Sequence, residues 1–187
     1  MNLLTQFKQI RILPLLIAPV LIAVGAFTAA PAQATPSCDV TTVDLLFGAN
    51  PPQAGFFPSG LLDLMCNEVN LYGWNLKTKV KGDSDVYVVQ VTFQPGGQTG
   101  WHSHPGPSLI TVTEGTLTVY HEDCTSETFT AGQSFTDLGC GDIHNVRNEG
   151  ATEAIDVAVQ IVPHGQPRRI DEPDPGCPNV PSCPTLK

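Results

Sequence analysis

Short runs of β-branched and aromatic residues, each cut off by glycine, fill residues 86–162 and leave few folds open to this chain. Val86-Tyr87-Val88-Val89-Gln90-Val91-Thr92-Phe93 stops at Pro95-Gly96-Gly97, and residues 109–113 and 116–120 meet tightly at Glu114-Gly115. Further runs cover 127–130, 133–136, 144–148 and 154–162. Such side chains suit a pleated surface, and turns at these short intervals predict an all-β sandwich or barrel. In the last run Ile155, Val157, Val159 and Ile161 alternate with Ala154, Asp156, Ala158 and Gln160, which predicts one buried and one wetter face. The sequence shows neither an amphipathic helix of ordinary length nor a long internal repeat.

The first 34 residues read as a secretory signal. Lys8 and Arg11 precede an apolar run over 12–27, and Ala32-Gln33-Ala34 places small residues where a signal peptidase cuts. Pro14 and Pro19 interrupt the run, which falls short of the roughly 20 apolar residues that span a bilayer. The expected product is secreted or periplasmic, with no stable membrane anchor. Cleavage after Ala34 would leave 153 of the 187 residues, enough for one domain. Residues 35–81, punctuated by Pro51-Pro52, Gly55, Pro58 and Gly60, read as an irregular arm, 82–163 as the barrel, and 164–187 as a Pro/Cys-rich tail lying on it.

All six cysteines lie beyond that cut: Cys38, Cys66, Cys124, Cys140, Cys177 and Cys183. In an exported chain an even number reads as disulfides, with fifteen possible full pairings for six. Cys177 and Cys183 could close a local loop, or each could staple the tail to the body. Metal binding by these thiols is a poor alternative, since no Cys-x-x-Cys pair occurs. Lys8 and Arg11 would leave with the signal, so seven basic residues face 18 acidic ones, a formal charge of −11. That balance argues against nucleic acid as a partner. Phosphate-cradling loops and nucleophile elbows are also missing.

The chemistry concentrates in the histidines. Side chains two apart on a strand share a face, so His102 and His104 can aim at one point. His144, opening a later strand, is the candidate third ligand. Three neutral imidazoles suit one divalent ion among Zn, Fe, Cu, Ni and Mn, with positions left for solvent or a small-molecule substrate.

With its spacing, this set resembles the cupin family. Gly96, five residues, His102-x-His104, three residues, Ser108, six residues and Gly115 reproduce the family's first motif, except that Ser108 stands where a glutamate is expected. Gly139-Cys140-Gly141, two residues, His144, three residues and Asn148 reproduce the end of the second, with Gly139 in place of a proline and a gap back to Gly132 one residue longer than usual. The resemblance implies a cupin-like double-stranded β-helix, or jelly-roll barrel. It also implies a metal on His102, His104 and His144, and a possible homodimer through sheet edges.

Without the glutamate the site should keep a charge near +2, lowering the pKa of bound water and favouring an anionic ligand. Ser108 and Trp101 are the candidate contacts to substrate or bound water. His121 and His164 read as solvent-facing, Glu114 and Asp142 as turn acids, Asn148 as a turn brace, and Arg147, Arg168 and Arg169 as surface partners of acids. Two classes of function follow: a metal-dependent oxygenase, isomerase or decarboxylase acting on a small anionic or chelating molecule, or a non-catalytic periplasmic or extracellular binder of metal or small ligands. A titratable side chain within reach of the open metal position favours the first.

Overall fold

The computed structural model describes residues 34–66, 73–181 and 183. The expected signal lies outside them apart from Ala34. Every regular element among the described residues is a strand. From the arm come β1 (Cys38–Asp44), β2 (Gly55–Phe57), β3 (Met65–Cys66) and β4 (Leu76–Lys77). The barrel is formed by β5 (Ser84–Gln98), β6 (His102–Ser103), β7 (Ser108–Glu114), β8 (Thr116–His121), β9 (Ser126–Thr130), β10 (Ser134–Asp137), β11 (His144–Arg147) and β12 (Ala154–Pro163). The tail adds β13 (Ile170–Asp171).

The sheet rolls into a nearly closed antiparallel barrel. β12 pairs β5 from Ala154↔Phe93 to Pro163↔Ser84, and on its other edge pairs β7 from Ile155↔Glu114 to Gln160↔Ser108. β7 passes on to β10, while β1 and β2 lie along β5. The facing layer runs β9, β8, β11, β6, β13, and Arg147↔Gln98 joins it to the end of β5. One strand thus serves both layers. The expected stop at Pro95-Gly96-Gly97 is instead a bend: Gly96 takes φ +79°, and a Cβ on Gly97 would stand 2.5 Å from the Asp39 carbonyl oxygen. Glycine permits that contact where a side chain would end the pairing.

Phe93, Val112, Leu117, Val119, Val146 and Ala154 form the main apolar core, with Phe129 stacked on Phe135 at 4.6 Å. Burying each large member is worth roughly 1.5–3 kcal/mol. The alternation in β12 is real, but its deeply buried face carries Ala154, Asp156, Ala158 and Gln160, while Ile155, Val157, Val159 and Ile161 are half-buried. A barrel that holds a polar interior puts its polar residues inward, the reverse of the usual rule for a half-wet sheet.

Two disulfides staple the tail to the body, Cys38–Cys183 and Cys124–Cys177, consistent with an oxidising, exported environment. Neither tail cysteine closes a local loop. Cys66 and Cys140 correct the expectation that all six pair: both are exposed free thiols. Cys66 ends a two-stranded sheet separate from the barrel, and Cys140 occupies a left-handed turn between β10 and β11.

Candidate metal centre

β6 and β11 bring the histidines together. His144 is the cross-strand partner of His102, and His104 follows two residues after His102. Ring centroids lie 4.3 Å apart for His102–His144, 4.9 Å for His102–His104 and 5.5 Å for His104–His144. All three are buried, and one ring nitrogen from each falls within 4.8 Å of the others. Metal–nitrogen bonds of about 2.0–2.1 Å set ligand atoms at most about 4.2 Å apart, so small ring movements would close them on one ion.

Each Nδ1 faces a main-chain carbonyl: Gly100 at 2.9 Å from His102, Asp142 at 3.2 Å from His144, and Arg168 beside His104. Donation to those carbonyls puts the proton on Nδ1 and leaves the Nε2 lone pair free, the arrangement that orients imidazole ligands. Burial pushes all three pKa values below the ordinary imidazole value, most strongly for His102, where His144 and Arg169 add to the effect. The rings are therefore neutral, as ligation requires. A triad of neutral nitrogens with hydrogen-bonded backs fits a divalent ion.

Ser108 is buried beside this set. Its hydroxyl donates to Asp137 Oδ2 at 3.4 Å and accepts from Gln160 Nε2 at 3.4 Å. Gln160 Oε1 in turn accepts from Arg168 Nη1 at 3.1 Å. Asp137 Oδ2 stands 3.6 Å from His104 Nε2, and its Oδ1 accepts the Gly139 N–H at 2.8 Å. A cavity of about 120 Å³ opens from the histidines into the barrel, with Ser108, Gln160, Arg168, Arg169 and Asp156 among its walls. Among the described residues Asp156 Oδ1 has no hydrogen-bond partner, and burial raises its carboxyl to about 7. Asp156 and Gln160 share a face four residues apart, about 13 Å along the strand, so the carboxyl sits well away from the triad.

Several sequence expectations change. Trp101 does not line the cavity; alternation turns it to the opposite face from His102, where it packs against Cys177 and Val180 under the tail. Arg168 and Arg169 are cavity walls; Arg169 also pairs the exposed acid Asp171 as expected, Nε to Oδ1 at 2.6 Å, and its Nη2 donates to the Thr99 carbonyl at 2.7 Å. Arg147 pairs Glu149, Asn148 bonds Phe93 O and Thr152 O as a brace, and His164 pairs Asp85 away from the site. His121, half-buried, is the cross-strand neighbour of His144. Asp137, Gln160 and Asp156 went unread. Asp156 and Gln160 could have been found from the β12 alternation had the polar face been taken as the inner one.

A family model described as a cupin domain matches residues 89–159. A cupin domain from Bordetella pertussis Tohama I is 33% identical over 41% of this chain and 80% of its own length, with a TM-score of 0.37. The chain belongs to the cupin superfamily. The cupin is also similar to a double-stranded β-helix protein from Klebsiella pneumoniae, 24% identical over 47% of this chain and 76% of the other, TM-score 0.41. A polyketide cyclase from Streptomyces resistomycificus is 16% identical over 78% of this cupin and 84% of its own chain, TM-score 0.48. No curated protein matches the sequence.

Proposed function

We propose that this is an exported cupin that holds one divalent metal on His102, His104 and His144 and uses it to transform a small anionic or chelating molecule in the barrel cavity. The observation that carries the reading is the convergence of three free Nε2 atoms, each ring held from behind by a main-chain carbonyl, at the end of a cavity walled by two arginines. The ion, when bound, supplies Lewis-acid or redox chemistry at its open positions.

The remaining work falls to the chain. Arg168 and Arg169 attract an anion and orient it toward the histidines. Ser108 offers a hydroxyl to a water or ligand atom near the triad. Asp156, at the other end, presents a carboxyl that can exchange a hydrogen bond with a ligand's hydroxyl or carbonyl. A cavity near 150 Å³ holds benzene, so about 120 Å³ limits the enclosed part of a ligand to that size or less. An ion with open positions, facing a cavity whose arginines attract an anion, favours turnover over passive binding. The two disulfides and the apolar leader over residues 12–27 support an exported location.

Elemental analysis of protein purified from its native compartment tests the metal. One equivalent of a divalent ion is expected, with loss in His104→Ala. Wild-type protein without stoichiometric metal, or a variant with unchanged content, overturns the reading. Consumption of small hydroxy acids or dicarboxylates by the loaded protein, lost in His104→Ala, separates an enzyme from a binder.

A further inference from the structure

We propose that Asp137 is a fourth protein ligand of the ion held by His102, His104 and His144, the acid having moved from the strand of Ser108 to the strand beside it. The inference rests on the metal reading above.

The register places it. Asp137 and Ser108 are direct partners in the β10–β7 pairing, and both side chains are buried. A carboxylate on β10 therefore reaches the same neighbourhood as one on β7. Its Oδ2 lies 3.6 Å from His104 Nε2, the nitrogen left free by the bond from Nδ1 to Arg168. Ligands sharing a tetrahedral ion with bonds of about 2.0–2.1 Å are about 3.4 Å apart, so this edge is already close to a coordination edge.

Two of the three departures from the family pattern meet at this residue. Glycine at 139 stands where a proline is expected, and its N–H donates to Asp137 Oδ1 at 2.8 Å. Proline has no N–H to give. Gly139 also adopts φ +66°, far from the value near −65° that proline imposes, and a Cβ there would stand 2.2 Å from the Gly106 carbonyl oxygen. Serine at 108, in place of glutamate, leaves room for Asp137 Oδ2 and donates a hydrogen bond to it. Glutamate there would set two carboxylates side by side. Both substitutions thus do what an acid at 137 needs: one holds an oxygen by a main-chain donor, the other clears and caps its second oxygen.

Burial supplies the remaining argument. A carboxylate removed from water needs strong partners, and Asp137 has one main-chain N–H, a long serine contact and a histidine nitrogen at 3.6 Å. A divalent cation answers that deficit. The loaded site then carries +1 rather than +2, and Arg168 and Arg169 become the groups that give the cavity its anion preference.

The test uses the full mature protein, stripped with a chelator and titrated with zinc against a chromophoric competitor, and separately loaded with copper(II) for electron paramagnetic resonance. Asp137→Asn keeps the volume and an acceptor for Gly139. It should weaken zinc binding by at least about 10-fold, the least that loss of even an outer partner of a ligand costs, and shift the copper spectrum. Protein grown with aspartate labelled at the carboxyl carbon should show a strong hyperfine coupling from that carbon to copper, which also decides the matter if the variant fails to fold. One zinc per wild-type chain, lost in His104→Ala but bound within twofold by folded Asp137→Asn with an unchanged spectrum, overturns this inference alone, as does the absence of the carbon coupling. Failure of wild type to bind any metal overturns the underlying reading instead.

Discussion

The main-chain carbonyl of Arg168 accepts the Nδ1–H of His104 across 64 residues of sequence. The orientation of a candidate ligand thus depends on the tail, and the tail depends on Cys124–Cys177, whose partners are 53 residues apart. Closing a loop of that length contributes about 4 kcal/mol in the chain-entropy account. Replacing both cysteines with serine should lower the unfolding free energy by about 2–4 kcal/mol, read from urea denaturation. The same variant should bind zinc more weakly, because the His104 ring loses its fixed backing. A destabilised variant with wild-type affinity would show that the tail staples the fold without orienting the site.

The three histidines set the acid side of the pH response. Burial holds each below its unfolded value of 6.5, so the unfolded chain takes up protons first as pH falls. Metal-free protein should keep this contribution above about pH 6.5 and lose it on acidification. Metal binding, which needs neutral rings, should stay flat from about pH 8 to about pH 6, where a solvent-exposed site would already be losing affinity. Zinc affinity measured across that range checks both claims, and a decline beginning near pH 6.5 would contradict the burial argument.

How much was legible follows from what sets each feature. The strands of the barrel were readable because β-branched runs between glycines depend on local preference, and His102, His104 and His144 because their spacing is fixed by the pleat and the turn before β11. Asp137 was not, since it reaches the site through register with Ser108, and register is a relation between strands that no single run displays. Asp156 and Gln160 were visible as alternation, but alternation alone does not say which face turns inward, and a polar barrel interior inverts the usual rule. Arg168 and Arg169 sit in a proline-rich tail with no period to read; only the pairing of β13 with β6 and the two disulfides bring them over the cavity.

Cys66 and Cys140 are exposed and unpaired, whereas the other four cysteines are joined. Native protein should therefore react with two equivalents of a maleimide, and mass spectrometry of the digest should place the label on these two alone. Exposed thiols in an oxidising environment are open to thiol–disulfide exchange. No label, with a Cys66–Cys140 peptide found under non-reducing conditions, would mean that the arm is covalently fixed to the turn before β11.

Asp156 opposes the histidines on the pH axis. Its Oδ1 is buried without a partner among the described residues, and burial lifts its carboxyl from 3.8 to about 7. The folded protein therefore keeps this proton over a range where the unfolded chain has released it. Its contribution is fully present below about pH 4 and is lost as pH rises through about 7, by roughly 4 kcal/mol at most. Asp156→Asn removes the titration but leaves the three histidines in place, so the difference between wild type and variant isolates the one group. Unfolding free energies from urea titrations at several pH values should show the variant gaining on wild type between about pH 4 and about pH 7. Parallel curves would mean that Asp156 meets water or a cation in solution. The cavity would then offer a ligand no neutral acid at that end.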